Sequence, residues 1–264
     1  MSESKIGESI VLVDKQDGIA TVTLNRPDKL NALNRELRLA FCHVMQDLRR
    51  DQDLRVVIIT GAGRAFCVGL DLRELGTGTS GIRDEGDATF ITVIEDMEVP
   101  VIAAVNGFAI TGGFELALAC DIMIAAEEAQ FADTHARVGV MPGGGMSARL
   151  PRAVGIRKAK ELSFTGNYLS ARDAERMGLV NRVVPRDQLL AVALETATQI
   201  ASANPTIVRQ MKRLYELTSR NALGEALRIE QDTFREFNRR ANLAELGNAG
   251  DSVIARGRSQ ASKN

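Results

Sequence analysis

The 264-residue sequence has no tryptophan, and its two tyrosines and nine phenylalanines bring the aromatic share to only 4%. It also lacks an excess of charge of either sign, because 33 Lys and Arg residues stand against 34 Asp and Glu residues. No uninterrupted apolar run reaches the ~18 residues that a membrane-spanning helix needs. We therefore expect an aliphatic core, no membrane span, and no nucleic-acid partner attracted by a positive field.

Cysteine is scarce as well, with Cys42, Cys67 and Cys120 forming an odd set without a close pair. This pattern argues against a disulfide framework and against a thiolate metal site, and it suits a reducing compartment. The N-terminal stretch Met1–Val13 resembles neither a signal peptide nor a transit peptide. The expected location is the cytoplasm, and no metal site is predicted.

The first part of the chain predicts a hairpin followed by a helix. Ile10–Val13 and Ile19–Leu24 are β-prone runs on either side of the turn dipeptide Asp17-Gly18. Asn34 then precedes an apolar stripe with the i, i+3, i+4, i+7 spacing of an amphipathic helix. Its members are Leu37, Ala40, Phe41, Val44 and Leu48.

Short apolar runs further along predict strands that are covered on both faces, as in a layered parallel sheet. These runs are Val56–Thr60 and Val101–Val105. The polar, glycine-rich segment Gly76–Asp87 is either a surface loop or a lid over a pocket. The C-terminal part of the sequence has helical patterns and predicts three helices, Gln188–Ala203, Ile207–Ser219 and Ala222–Leu246.

Two glycine turns carry the strongest chemical signal, and each follows a buried strand. They are AFCVGLDL (65–72) and NGFAITGGFEL (106–116). Glycine frees the backbone so that an N–H group can point into a cleft, and two such groups converging on one oxygen would form an oxyanion hole. Alternatively, both turns are simple connections between a strand and a helix.

Glu115 falls in the first turn of the helix that the second glycine turn begins. An acid there complements the helix dipole in any protein, but it would also lie close enough to an oxyanion donor to move a proton. A nicotinamide-binding fingerprint is disfavoured, because Phe66 stands where G-x-G-x-x-G requires its third glycine after Gly61 and Gly63.

Five segments in unbroken order, over roughly residues 8 to 200, resemble the crotonase (enoyl-CoA hydratase/isomerase) family. They are AFCVGLDL (65–72), VPVIAAVNGFAITGGFELALACDIMIAA (99–126), QFADTHARVGVMPGGG (130–145), RLPRAVG (149–155) and SFTGNYLSARDAERMGLVNRVV (163–184). The resemblance implies an α/β fold, a crotonase-like (ClpP-like) spiral of ββα units over residues 1–200. It further implies a helical region over residues 201–264 that takes part in oligomerisation and closes the CoA site, in a homotrimer or a hexamer made of two trimers.

By position, the resemblance also implies a set of site residues around a coenzyme A thioester, which is the substrate rather than a cofactor. The oxyanion donors are the N–H groups of Leu70 and Gly112, the catalytic acid is Glu115, and Gly143 orients a water molecule. The implied CoA contacts, largely through the main chain, are Lys29, Leu30, Val68, Asp71 and Leu72.

The sequence departs from the family pattern where a second catalytic glutamate belongs. The family's F-G-Q-P-E corresponds to Phe131-Ala132-Asp133-Thr134-His135. His135 therefore takes the place of the acid, and either His135, whose imidazole can act as an acid or a base, or Asp133 is the candidate second catalytic group. Thr111 also replaces a glycine beside the oxyanion turn, which narrows the backbone freedom there.

These features favour an enoyl-CoA hydratase, and they leave other functions open. The same site could run double-bond isomerisation, hydrolysis or another lyase reaction with one carboxylate. A non-catalytic acyl-CoA binding protein is the alternative from another class, motivated by the missing second glutamate. A nicotinamide enzyme would be recognised by binding of NAD(H) or NADP(H).

Overall fold

The structure, a computed structural model, describes residues 9–77 and 89–240. The chain divides into two compact units, Met1–Arg209 and Gln210–Asn264. The sequence-based boundary, after residue 200, lies slightly earlier than this division. In the described ranges no helix has the length and apolar character needed to cross a membrane.

The strands and helices alternate along the first unit, and helices alone make up the described part of the second. The strands are β1 Val11–Gln16, β2 Ile19–Leu24, β3 Val56–Gly61, β4 Ala65–Cys67, β5 Val101–Val105, β6 Phe108–Ile110, β7 Ile122–Ala126, β8 Gln130–Ala132, β9 Leu169–Ser170 and β10 Arg182–Val184. The helices are α1 Arg35–Arg50, α2 Leu72–Thr77, α3 Thr89–Glu95, α4 Gly112–Leu118, α5 His135–Val138, α6 Met146–Val154, α7 Ile156–Thr165, α8 Ala171–Arg176, α9 Leu189–Ala201, α10 Pro205–Thr218 and α11 Leu223–Arg240.

The strands form two sheets, and pairs of strands that are consecutive in the chain are divided between them. The larger sheet has the order β1-β2-β3-β5-β7-β10 and the smaller one β4-β6-β8-β9. Each pair β3/β4, β5/β6 and β7/β8 therefore contributes its first strand to the larger sheet and its second to the smaller one. Because these neighbours pair in parallel, successive turns of the chain stack on each other as a ββα spiral. The predicted fold class is confirmed.

The predicted N-terminal hairpin and the helix after it are both present. Strands β1 and β2 pair antiparallel around Asp17-Gly18. The side chain of Asn34 caps α1 by accepting a hydrogen bond from Leu37 N at 3.0 Å. The buried stripe of α1 differs from the predicted one, because Arg38, Cys42 and Met45 are buried whereas Ala40 and Val44 are only partly buried.

Strands β3 and β5 are covered on both faces, as their continuous apolar runs predict. Val57 and Ile59 of β3 face the larger apolar cluster, which also takes in Phe41 of α1. Val56 and Ile58 face a second cluster that includes Ala193 of α9. This double cover fixes the central strands rigidly, and the chain passes from β3 into β4 and from β5 into β6, whose ends carry the turns described below.

The C-terminal helices were placed within a few residues by their sequence patterns, and α9 to α11 begin and end close to the predicted bounds. Part of the predicted third helix, residues 241–246, lies outside the described residues. Residues 78–87 of the segment expected to be either a surface loop or a lid also lie outside them, while Gly76 and Thr77 belong to the end of α2.

Asn31 ties the loop before α1 to the smaller sheet. It is fully buried and has a left-handed backbone, with φ at 56°. Its side-chain amide donates to Ala62 O at 2.9 Å and to Ala65 O at 2.8 Å, and its oxygen accepts from Arg26 N at 2.9 Å. The loop end then meets the first glycine turn, because Leu33 N donates to Gly69 O at 2.8 Å.

Replacing Asn31 with Asp should destabilise the fold strongly. The change removes both amide donors and leaves a carboxylate facing the buried carbonyl oxygens of Ala62 and Ala65, of which Ala65 O still accepts from the Asn106 amide. A buried carbonyl left without a donor costs about 1–3 kcal/mol. Urea unfolding followed by circular dichroism measures the loss. Asn25→Asp is the matched control, since the Asn25 amide makes an exposed hydrogen bond to Ser9 O; equal unfolding midpoints for the two variants would contradict the role given to Asn31.

Candidate active site

The carboxyl ends of three neighbouring strands create the candidate site. Strands β4, β6 and β8 pair in parallel in that order, so their ends meet at one edge of the smaller sheet. The chain leaves β4 towards Leu70, β6 towards Gly112 and Glu115, and β8 towards His135. Ligands bind preferentially at such edges, because turns from several strands converge there.

A cavity of about 240 Å³ opens at this edge. Most of its wall is apolar, while acid, base and main-chain groups lie together in one part. The lining residues are Arg38, Val68, Leu70, Leu72, Phe90, Thr111, Gly112, Glu115, Thr134, His135, Val138, Val140, Met141, Gly143 and Gly144.

The two glycine turns touch each other through their backbones. A β-carbon at Gly69, whose φ is 84°, would lie 2.9 Å from Ile110 O and 3.0 Å from Gly112 N. A β-carbon at Gly112 would lie 3.8 Å from Leu70 N. The predicted donor pair, Leu70 N and Gly112 N, is therefore brought together, and only glycine at position 69 permits the approach.

Neither of these two N–H groups has a hydrogen-bond acceptor in residues 9–77 and 89–240. Both residues line the cavity. Two adjacent backbone donors that point into a cleft and are not used by the fold can share one carbonyl oxygen. The arrangement has the geometry of an oxyanion hole.

Thr111 holds the second turn in a strained conformation, with φ at 52° and ψ at −111°. A β-branched residue with positive φ costs on the order of 1–3 kcal/mol and survives only where its surroundings fix it. Here Thr111 N donates to Ala132 O at 2.8 Å, and its hydroxyl accepts from Thr134 N at 3.2 Å. These hydrogen bonds to Ala132 and Thr134 thus offset the strain of having threonine where the family pattern has glycine.

Glu115 lies in the wall of the cavity and is 3% exposed. Its Oε1 accepts hydrogen bonds from Gly144 N at 2.9 Å and from Met146 N at 3.1 Å, which fixes the carboxyl group. Burial raises its pKa above the ordinary value of 4.5, although these two N–H groups and His135 act in the opposite direction. Glu115 therefore keeps a proton to a higher pH than an exposed glutamate does.

His135 faces Glu115, and Asp133 stands behind it. The Nε2 atom of His135 is 3.8 Å from Glu115 Oε2, and its Nδ1 is 2.6 Å from Asp133 Oδ1. Burial opposes ionisation of Asp133, but hydrogen bonds from His135 and Ser163 hold its pKa below the ordinary value. Of the two candidates for the second group, His135 lines the cavity, whereas Asp133 is 2% exposed and orients the imidazole.

The residues expected to contact CoA separate into two groups. Val68 and Leu72 line the cavity, next to Leu70. Lys29, Leu30 and Asp71 do not line it, and the Asp71 carboxylate accepts from Arg26 at 3.3 Å. Leu30 has a left-handed φ of 53° in the same loop as Asn31.

Gly143 lines the cavity, as its predicted place beside a bound water requires. Sequence reasoning missed four other residues of the site. The N–H groups of Gly144 and Met146 hold the Glu115 carboxyl, and Ser163 donates a hydrogen bond to Asp133. The fourth residue, Arg38, lines the cavity. Arg38 lies on the buried side of α1, outside the stripe that the sequence predicts. No group of His, Cys, Asp and Glu side chains within the described ranges could hold a metal ion.

Comparison with known proteins agrees with this geometry. The family model for enoyl-CoA hydratase/isomerase matches residues 14–248. The chain belongs to the enoyl-CoA hydratase/isomerase family.

Relatives cover most of the chain. A probable peroxisomal enoyl-CoA hydratase 1 from Arabidopsis thaliana is 38% identical over 231 residues, 87% of each chain. The crystal structure of an enoyl-CoA hydratase from Bacillus anthracis has 35% identity and a TM-score of 0.84, covering 92% of this chain and 96% of the other. A monofunctional enoyl-CoA isomerase from M. smegmatis has 37% identity and a TM-score of 0.71, covering 82% and 97%.

The tautomer of His135 can be tested by NMR, since His43 and His135 are the only histidines. With Nδ1–H donating to Asp133, we expect the neutral imidazole to carry its proton on Nδ1 and to leave Nε2 unprotonated towards Glu115. Two-dimensional ¹H–¹⁵N correlation of the ring nitrogens at neutral pH distinguishes the tautomers.

His43 is exposed and serves as the internal reference. In Asp133→Ala the His135 signals should move towards the tautomer mixture shown by His43, while those of His43 stay in place. Wild-type His135 signals that already match those of His43 would contradict the orienting role of Asp133.

Proposed function

We propose that this family member is an enoyl-CoA hydratase, which adds water across the double bond of a 2-enoyl-CoA thioester. The observation that carries the proposal is the placement of two unused backbone N–H groups, Leu70 and Gly112, beside a buried acid that faces an imidazole. Relatives named enoyl-CoA hydratase over most of the chain support the same reaction.

The thioester oxygen binds between Leu70 N and Gly112 N. When water attacks Cβ, the electrons of the double bond move towards the carbonyl, and negative charge develops on that oxygen. Donors that already point at this position stabilise the enolate without reorganising, and losing one such donor elsewhere costs about 2.7–4 kcal/mol in the barrier. Because α4 begins at Gly112, its positive end adds to the effect.

The attacking water is held between His135 and Glu115. The 3.8 Å between Nε2 and Oε2 is too long for a direct hydrogen bond, and a water beside both atoms can donate to each. His135 Nε2 takes one proton from the water as its oxygen bonds to Cβ, and protonated Glu115 gives a proton to Cα. A proton then passes from His135 to Glu115, which restores the site and balances the reaction.

The remaining family features also enter as proposals. The CoA chain would run past Val68 and Leu72, with Lys29, Leu30 and Asp71 in contact with its outer part. The chain would assemble as a trimer or as a hexamer of two trimers in the cytoplasm, and the helical region after residue 200 would help to close the CoA site. The thioester is the substrate, and we propose no separate cofactor.

Isomerisation of an enoyl-CoA double bond is the second candidate. One observation favours it: among the residues that the structure describes, Glu115 is the one carboxylate in the cavity wall, and a single carboxylate can remove a proton from one carbon and return it to another. The related M. smegmatis isomerase keeps the same fold at 37% identity. Hydration differs from isomerisation because it needs a second group, such as His135, for the water.

Glu115→Gln should lower the rate of crotonyl-CoA hydration by about 10²–10⁴-fold, because it removes the proton donor at Cα. The assay follows the loss of enoyl absorbance, with mass spectrometry to identify the hydroxyacyl product. Affinity for butyryl-CoA, measured by calorimetry, should stay within a few-fold, since the amide keeps the oxygen that accepts from Gly144 and Met146.

His135→Ala separates the two candidate reactions. It should slow hydration while leaving isomerisation of a 3-enoyl-CoA, if the enzyme performs it, largely intact. A wild-type protein that binds butyryl-CoA tightly but turns over no enoyl-CoA would instead support a non-catalytic binding protein.

The same Glu115→Gln variant should be more stable than wild type at neutral pH. The raised pKa of Glu115 means that the folded state binds its proton more tightly than the unfolded state does, so wild-type stability falls as the pH rises through the window above 4.5. Glutamine has no proton to lose, and the difference should vanish below that window. Thermal unfolding of both proteins across pH 4 to 8 measures it; a wild type that gains stability relative to the variant as the pH rises would contradict the shift.

A further inference from the structure

Among the Asp, Glu, His, Lys and Arg residues of the described ranges, four are buried, and all four lie in this site or next to it. They are Arg38, Glu115, Asp133 and His135. The last three form the acid and base cluster described above. Arg38 is 2% exposed and lines the same cavity, yet the proposed hydration gives it no task.

Arg38 lies among apolar residues of its helix. It lies on the buried side of α1 with Phe41 and Met45, three and seven residues further on. Burying a guanidinium costs free energy unless other groups compensate it, and a break in the local pattern of this kind often marks a functional position.

Arg38 shares its cavity with the reacting groups, but it is not among the groups that act most strongly on the Glu115 carboxyl, which are Met146, Gly144, His135 and Asp133. Apolar side chains, Leu70 and Phe90 among them, line the same cavity. A ligand whose thioester oxygen binds at Leu70 and Gly112 therefore lies in one cavity with the guanidinium.

We propose that Arg38 binds a carboxylate carried by the acyl group, so that the preferred substrate is a short 2-enoyl thioester whose acyl chain ends in a carboxylate. This inference rests on the proposed hydration and names its substrate class. A guanidinium is always protonated, and two of its five N–H donors match the two carboxylate oxygens, so it can keep a protein partner and still bind the ligand.

The cavity, of about 240 Å³, is smaller than most small-molecule pockets, which favours a short acyl chain. A cationic acyl group would be repelled by Arg38 at the same position.

Two acyl-CoA pairs of matched length test the proposal with the full-length wild-type protein. The first pair consists of 2-enoyl thioesters with and without a terminal carboxylate, compared by kcat/KM for hydration. The second consists of the corresponding saturated thioesters, compared by Kd in calorimetry. We expect wild type to favour the carboxylated member of each pair by at least about tenfold, as one well-oriented charge-assisted hydrogen-bonded pair provides.

Arg38→Met should abolish or reverse this preference, because it keeps the length of the side chain without its charge. Arg38→Lys, which retains the charge but not the two parallel donors, should keep part of it. Arg35→Met is the matched control, since Arg35 is exposed on the same helix and should leave the preference unchanged.

The binding experiment separates failure of this proposal from failure of the proposed reaction. Preference for the saturated carboxylated thioester without any turnover would overturn hydration and support the Arg38 site. Equal or weaker affinity of wild type for the carboxylated thioester would overturn the Arg38 site, whatever the turnover. A preference that persists undiminished in Arg38→Met would overturn it as well, provided that the variant retains the circular dichroism spectrum of wild type.

Discussion

The close contact between two backbone turns is the constraint on which the site depends. Gly69 lies against Ile110 O and Gly112 N, and a β-carbon at Gly113 would lie 2.0 Å from Cys67 O. Side chains at these positions would push the turns apart, and the N–H groups of Leu70 and Gly112 would no longer serve one oxygen. The parallel pairing of β4 with β6 brings the turns to the same edge of the sheet, and the absence of two β-carbons lets them touch.

Around this contact, the protein buries charged groups in a mostly apolar interior. Glu115 keeps a raised pKa because it is shielded from water, while Asp133 stays ionised because His135 and Ser163 donate to it. The surroundings thus favour the protonated form of Glu115 in the cavity wall and the ionised form of Asp133, which orients the His135 ring. The strain at Thr111 belongs to the same site, and hydrogen bonds to Ala132 and Thr134 stabilise it.

Histidine stands where the family pattern has its second glutamate, and the structure gives this histidine a partner. A histidine alone would be free to choose its tautomer, but Asp133 two residues earlier supplies the acceptor that fixes the ring. In the hydration proposed above, this pair takes the place of the carboxylate beside the water. The turn after β8 that carries the pair is tied to the oxyanion turn after β6, because Thr111 N donates to Ala132 O and Thr134 N donates to the Thr111 hydroxyl.

The sequence by itself determined the hairpin, the capped start of α1, the doubly covered strands and the two glycine turns, since each depends on local periodicity or on glycine at a fixed spacing. Its resemblance to the family implied Leu70 and Gly112 as donors and Glu115 as the acid, and all three line the cavity. Only the tertiary structure decided between His135 and Asp133, because their order along the chain says nothing about which side chain reaches the cavity. It alone revealed that Gly144 and Met146 hold Glu115 from 29 and 31 residues away. It also placed Arg38 in the wall of that cavity, where helical periodicity indicated a buried face but not what that face encloses.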